Sequence, residues 1–283
     1  MKRLPTIKVL YEDDNYLAVN KPDGLIVHSD GRTVEPSLVD WILKNRPEIR
    51  GVGESAGGNI ESRIQNLETE NKKSGLEVSN PDSIITARTE QTLVRSGGQI
   101  PDSTQERPGI VHRIDRDTSG VVVIAKNQIA FGCLKKRFQK KEVRKIYHTF
   151  VYGEIKQDHG WIDRPIGRSK NDFRRWTAER GTRGEMREAI TYYFVLKRGK
   201  GLTFLEIQPK TGRTHQIRVH LKAIGHPVVC DKLYAPQKET ALGFERLALH
   251  AKSIEFIDQG GKKIFVEAPY PKDFKSAIKK FGL

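Results

Sequence analysis

"PGIVHRIDRDTSGVVVIAK", Pro108 to Lys126, crowds His112, Arg113, Asp115, Arg116 and Asp117 into one turn-rich run and then ends in an unbroken apolar segment. Val121 to Ala125 is a β-branched run of the kind that fills a sheet interior, so it reads as a buried strand. Upstream, "GIVHRI" reads as another strand, and the turn "RDTSG" brings the chain back between the two. A carboxylate at such a strand-to-turn junction is held rigidly by the sheet yet faces a cleft, where a nucleophile or base is useful. Asp115 holds that position. An Asp in a turn can equally cap the turn through its side chain. Asp117 fits that role better, within reach of the amides of Ser119 and Gly120.

Outward from this stretch, residues 6 to 30 alternate apolar and polar around an Asp-Asp-Asn turn, a hairpin signal, and continue into a turn at Pro22 to Gly24. "SLVDWILKNRPEIRG" predicts a short amphipathic helix with Leu38, Trp41 and Ile42 inward, stopped by Pro47 and Gly51. Asn127 can cap a helix running to about Gln139, with Ile129, Cys133, Leu134 and Phe138 inward. "RKIYHTFVYGEI" alternates as a strand with Lys145, Tyr147, Thr149 and Val151 on one face. "AITYYFVLKR", "LTFLEIQP", "THQIRVHLKA" and "KSIEFI" are further strands. Many strands, few helices and hairpin-length connections predict an α+β fold with a large mixed or antiparallel sheet.

Residues 54 to 105 differ in texture. No Phe, Trp or Tyr occurs between Trp41 and Phe131, and Ser, Asn, Thr, Gly and Glu dominate. Such a stretch has little from which to build a core and reads as a polar, flexible insertion within one domain spanning residues 1 to 283.

The 283 residues carry 50 Lys plus Arg against 35 Asp plus Glu, a formal net charge of +15. That balance points to a polyanion, nucleic acid before membrane. No apolar run approaches the roughly 20 residues of a membrane span, and no apolar segment follows the early basic residues, so no signal peptide is expected. Two cysteines, Cys133 and Cys230, exclude a Cys-rich zinc site and a disulfide framework, and a reducing cytoplasmic setting is expected.

Other constellations add to the picture. In "KTGRTHQIRVHLKAIGHPVVCDKLY", read as a strand, Gln216, Arg218 and His220 share one face, while Arg213, His215 and Ile217 share the other. His215 and His220 are then a poor metal pair, and no metal is expected. An arginine inside a core needs an anion, either a buried carboxylate such as Asp115 or a phosphate. "KKRFQKKEVRK" sets seven basic residues against Glu142 around Phe138. "GRSKNDFRRWTAERGTRGEMR" interleaves Arg174, Arg175 and other arginines with Phe173 and Trp176 in what reads as an exposed hairpin. Cations neutralise phosphates and aromatics stack bases, so this mixture favours single-stranded or splayed RNA.

These blocks, in this order, resemble the RluA family of pseudouridine synthases. Lys21, Pro22, Gly24, Leu25, Val27 and His28 look like the family's KPxGLxVH block, and "HRIDRDTSG" like its HRLDxxTSG block with Ile114 for the usual Leu. "KIYHTFVYGEI", "TGRTHQIRVHLKAIGHPVVCDKLY" and "LALHAKSIEF" are similar to later blocks. The resemblance implies a single pseudouridine-synthase-type catalytic domain that isomerises uridine in RNA without cofactor or metal. Asp115 would be the nucleophile, Tyr147 would stack on the uracil, and Arg218 would pair with Asp115 and keep it ionised. His112 and Arg113 lie beside the nucleophile, and Arg113 is a candidate to hold a flipped-out uridine. Lys21, Arg213, His215, Gln216, Arg174, Arg175 and Trp176 complete the expected RNA-binding set. The long polar insertion departs from the family, and no S4-type domain is expected ahead of the catalytic part. Large-subunit ribosomal RNA is the expected target, with transfer RNA as the alternative, and a monomer is the family default. Two competing readings are a catalytically silent RNA-binding protein on this scaffold and a glycoside hydrolase using Asp115 and Asp117.

Overall fold

The computed structural model describes residues 4–29, 35–54, 107–179 and 182–283. The expected insertion lies, from residue 55 onward, outside the described residues. Strands β1 (Lys8–Glu12) and β2 (Tyr16–Lys21) form the predicted hairpin. Its Asp-Asp-Asn turn is closed by Asp13, whose carboxylate accepts from the N–H groups of Asn15 and Tyr16 at 2.8 and 2.7 Å. The other strands are β3 (Ser119–Ala125), β4 (Arg144–Tyr152), β5 (His159–Asp163), β6 (Ile166–Ser169), β7 (Trp176–Thr177), β8 (Thr182–Arg187), β9 (Ile190–Gly199), β10 (Leu202–Pro209), β11 (Leu249–Ile257) and β12 (Lys263–Glu267).

Among the described residues, nine strands make one sheet in the order β1-β2-β3-β11-β4-β10-β9-β5, with β12 also on β11. The β3–β11 pair is parallel and the others are antiparallel, so the sheet is mixed, as expected. Gly120 makes the parallel contact possible: with φ of +119°, any Cβ there would stand 2.2 Å from the Ala251 carbonyl oxygen. A second sheet, β7-β6-β8, replaces the simple hairpin expected around Trp176.

Four α-helices accompany the sheets among the described residues: α1 (Leu38–Asn45), α2 (Gln128–Gln139), α3 (Gln216–Ala223) and α4 (Lys272–Lys280). A capping box between Ser37 and Asp40 starts α1, and the Asn127 side chain accepts from the Ala130 N–H at 2.9 Å to start α2. No helix among the described residues is long and apolar enough to cross a membrane.

The core forms two main clusters. One packs β1–β3, α1 and α2 around Leu17, Ile42, Ile124 and Leu134; the other packs β4, β9, β10, α3 and α4 around Phe150, Leu205, Leu221 and Phe274. Tyr147 on β4 touches both. The seam between them runs beside the loop that carries Asp115.

Three expectations need correction. "THQIRVHLKA" is helical from Gln216 to Ala223, and its polar residues Gln216, Arg218 and His220 are all buried. Its β-branched alternation mimics a strand, but Ile217, Leu221 and Ile224 also fit a helix that ends at Gly225. There the Gly225 N–H donates to Lys222 and the His226 N–H to Leu221, both at 2.9 Å, a glycine stop. "GIVHRI" contributes a single bridge, Ile110 to Ile124, rather than a strand. Two residues further on, the His112 Nε2 accepts the Val123 N–H at 3.0 Å, so a side chain takes the place of a ladder bond. On α2 the buried stripe is Ala130, Phe131 and Leu134, and Ile129, turned away from it, is 74% exposed.

Candidate active site

The loop from Val111 to Asp117 is pinned at both ends. At its start, His112 accepts from Val123 and stacks on Phe138 of α2 at 4.9 Å. Burial and the nearby Lys145 push the His112 pKa down to about 3, so the ring stays neutral with its proton on the other nitrogen. At its end, the Thr118 N–H donates to the Asp115 carbonyl at 3.1 Å, and the buried Ser119 Oγ meets His250 Nδ1 at 2.9 Å. Underneath, Lys21 is fully buried and donates to the carbonyls of Pro22, Leu25 and Arg116 at 2.8, 2.7 and 2.9 Å. Burial pulls its pKa down to about 7, against the charges of Asp23, Asp115 and Asp117. Lys21, expected to face RNA, instead ties one loop to another. Asp117 does not accept from Ser119 or Gly120; its carbonyl receives Arg246 at 3.4 Å.

Asp115 emerges from this loop with its side chain 19% exposed and its Oδ2 3.4 Å from Arg218 Nη1. Arg218 has a nearer partner that sequence reading missed. Its Nε and Nη2 donate to the two oxygens of Asp231 at 2.7 and 2.8 Å, and Asp231 is buried. Asp231 Oδ1 also accepts from the N–H groups of Leu233 and Tyr234 at 3.0 Å each. The Tyr234 ring lies 4.9 Å from the guanidinium. Burial works against the charge of Arg218, but the bonds and charge of Asp231, and then Asp115, raise its pKa above the usual arginine value. A carboxylate clamp thus fixes the guanidinium plane, and one edge is left for Asp115. The signal was present: Asp231 is the lone acid in "HPVVCDKLY", and a buried arginine needs such an anion.

Around this pair the other expected residues divide into two groups. Gln216 is buried and fully bonded: its Oε1 accepts from Thr211 Oγ1 at 2.7 Å and the Arg213 N–H at 2.9 Å, and its Nε2 donates to Ile190 O and Thr191 Oγ1 at 3.0 and 2.9 Å. It braces the loop before α3 instead of facing RNA. Arg213 donates to the Glu188 carbonyl at 3.0 Å. His215 sits in the left-handed region at the start of α3 with Nδ1 2.9 Å from the Tyr234 hydroxyl. The same hydroxyl accepts from the Trp176 N–H at 2.9 Å and so fastens the small sheet to the site. Arg113 is exposed, with Nη1 3.5 Å from His28 Nε2. Arg174 pairs with Asp172 at 2.9 Å on the surface, Arg175 lies 3.4 Å from the same acid, and Trp176 is half-buried with Arg168 over its ring at 5.1 Å.

Two cavities meet here. One of about 430 Å³ runs past Tyr147, Val143, Phe138 and Leu249 to a basic rim of Lys141, Lys145, Lys210 and Arg213. The other, about 490 Å³, is lined by Arg116, Arg174, Arg218, Lys232 and Arg246 with Asp117 and Glu245. Arg113, Ile114, Asp115 and His215 belong to both, so Asp115 lies on the shared wall. Burial and the charge of Asp115 push the Tyr147 phenol upward, which keeps it protonated at neutral pH. Among the described residues no group of three or more His, Cys, Asp or Glu could hold a metal ion.

Comparison with known proteins gives the family and the fold. The family model for RNA pseudouridylate synthase matches residues 67–223. The chain is 33% identical over 273 residues to the uncharacterized RNA pseudouridine synthase YlyB of Bacillus subtilis (strain 168), covering 96% of this chain and 72% of that protein. It is 30% identical over 281 residues to the ribosomal large subunit pseudouridine synthase D of Xanthomonas campestris pv. campestris, covering 95% and 67%. Among solved structures, human RNA Pseudouridylate Synthase Domain Containing 4 superposes with a TM-score of 0.64 at 21% identity, covering 96% of this chain and 92% of that one, which shows the shared fold. The chain belongs to the RNA pseudouridylate synthase family, isomerases that act on RNA.

Proposed function

We propose that this protein isomerises uridine to pseudouridine in large-subunit ribosomal RNA with Asp115 as the nucleophile. The observation that carries the reading is the position of the Asp115 carboxylate, on the wall between two cavities and 3.4 Å from a clamped arginine. A nucleoside is divided at its glycosidic bond in the same way. With the uracil against Tyr147 in the first cavity and the ribose phosphates among the arginines of the second, the C1′–N1 bond falls at Asp115. That bond breaks, the base turns, C5 bonds to C1′, and the C5 proton is lost while N1 gains one, so the atoms balance. The neutral phenol of Tyr147 stacks on the turning ring, and the clamped Arg218 aims the Asp115 carboxylate. Extruding the uridine costs a few kcal/mol, which contacts from Arg113 and the basic rim offset. The names of the ribosomal relatives support the choice of RNA. In this reading the chain works as a monomer in the cytoplasm.

Release of tritium from RNA carrying 5-³H-uridine tests the reading, with ribosomal and transfer RNA pools assayed separately. Release from the ribosomal pool supports it, release from the transfer pool alone moves the target, and release from neither contradicts the reaction.

A further inference from the structure

Of the basic residues around the first cavity, Lys145 stands apart. Lys141 pairs with Glu188 at 3.0 Å, Arg213 donates to the Glu188 carbonyl, and Lys210 is exposed. Lys145 is half-buried in the cavity wall beside Phe138, with its ammonium 5.9 Å from the centre of that ring. An ammonium carries three donors. Among the described residues it makes one hydrogen bond, a long one of 3.4 Å to the Thr211 carbonyl, and has no carboxylate partner. Burial, with Lys210 nearby, pulls its pKa down to about 8, so most of it is still charged at neutral pH. A cation drawn out of water with no anion beside it is costly unless negative charge reaches it from outside the chain.

Its place on β4 indicates where that charge arises. Lys145 and Tyr147 are two residues apart on one face of the strand, about 7 Å between Cα atoms, and both line the first cavity with Asp115. In the reading above the phosphates lie in the second cavity, whose wall does not include Lys145. A uracil laid against Tyr147 has Lys145 beside it instead. When the C1′–N1 bond breaks, its electron pair stays with the base and spreads onto the two uracil carbonyl oxygens. That charge is absent from the bound uridine and is consumed when C5 bonds to C1′. Next to apolar walls an ammonium stabilises such a transient charge far better than water does, since it is already in place.

We propose that Lys145 is a further catalytic residue, which donates from Nζ to a uracil carbonyl oxygen and stabilises the base while it is detached from the ribose. Lys145 keeps its proton throughout, so the bonds made and broken are those of the isomerisation alone. This inference rests on the reading of the chain as a uridine isomerase and adds a residue to it.

The test compares single-turnover tritium release from ribosomal RNA carrying 5-³H-uridine, and affinity for the same RNA, in the wild type, Lys145→Met and Lys145→Arg. Removing one donor aimed at a developing charge slows the methionine variant by about a hundredfold or more, with the dissociation constant within about twofold of wild type. Lys145→Arg keeps the positive charge and recovers most of the lost rate. Should the methionine variant fail to fold, Lys145→Gln, which still donates to the Thr211 carbonyl, takes its place with the same expectation. A neutral variant as fast as wild type overturns the proposal. So does one whose rate falls only in proportion to weakened binding, which makes Lys145 a phosphate contact. An arginine variant as slow as the neutral one also overturns it, because the charge is then not what matters. No release by the wild type from any RNA removes the isomerase reading itself, whereas wild-type release that the neutral variant matches removes only the role of Lys145.

Discussion

The floor of the cleft and its rim are built on opposite principles. On the floor, Arg218, Asp231 and Gln216 are buried, and each polar atom named above has a partner within the chain. On the rim, Arg113, Arg174 and the arginines of the small sheet are exposed, and the ion pair of Arg174 with Asp172 lies at the surface. Buried charges hold one geometry because breaking a pair leaves a charge uncompensated. Exposed charges hold little geometry but attract a polyanion over a range that salt controls. The floor is therefore the place for chemistry and the rim the place for recognition.

The sharpest way to break this division is Asp231→Asn. It removes the charge opposite Arg218 while keeping the shape, and the expected loss is about 3–5 kcal/mol of stability. In whatever fraction stays folded, the isomerisation rate should fall while RNA affinity holds; urea unfolding and single-turnover assays measure the two. A variant as stable and fast as wild type would show that the clamp is idle. Gln216→Ala comes next, leaving the buried groups around Thr191 and Thr211 without partners at about 1–3 kcal/mol. Its RNA affinity at fixed stability should not change, contrary to a direct RNA contact.

The pH dependence of stability probes the same floor. Burial lowers the pKa of His112 to about 3 and of His148 and His250 to about 4, and lowers those of His215 and His220 as well. In the unfolded chain these rings titrate near 6.5. Above that value neither state takes up the proton and stability is complete. As pH falls below it the unfolded chain binds protons that the folded chain refuses, so stability is lost. By about pH 5 the loss is on the order of 2 kcal/mol for each of the three lowest histidines. Urea midpoints at about pH 7.5 and pH 5 check this, and equal midpoints would contradict it. The smallest effect on the fold belongs to the rim. Removing Arg174 and Arg175 together should leave the urea midpoint unchanged, weaken RNA binding and flatten its dependence on salt. Binding with the same salt slope would show that these arginines never meet phosphate.

The same contrast explains what the sequence could reveal. Val121 to Ala125, the Asp13 turn and the Asn127 cap were legible because each is decided by a few adjacent residues. The pairing of Asp115, Tyr147 and Arg218 in one site came through the family resemblance, since no local pattern brings residues 115 and 218 together. Helix α3 was misread because its Ile217, Val219 and Leu221 alternate like a strand, while the tertiary partners of Gln216, Arg218 and His220 decide the matter. Lys21, in the block that resembles the family's first motif, reads as one of the RNA-binding set. Three carbonyls that converge only in the folded loop hold it inside. Asp231 was passed over because its role exists only once α3 has turned Arg218 toward it.

The measurement that tests the central claim most directly pairs single-turnover isomerisation with RNA affinity for Asp115→Ala and the wild type. If Asp115 is the nucleophile on the wall between the two cavities, the rate falls by on the order of 10⁴-fold or more, while the dissociation constant hardly moves. A variant that still isomerises uridine near the wild-type rate, or that loses rate only in proportion to lost binding, would contradict it.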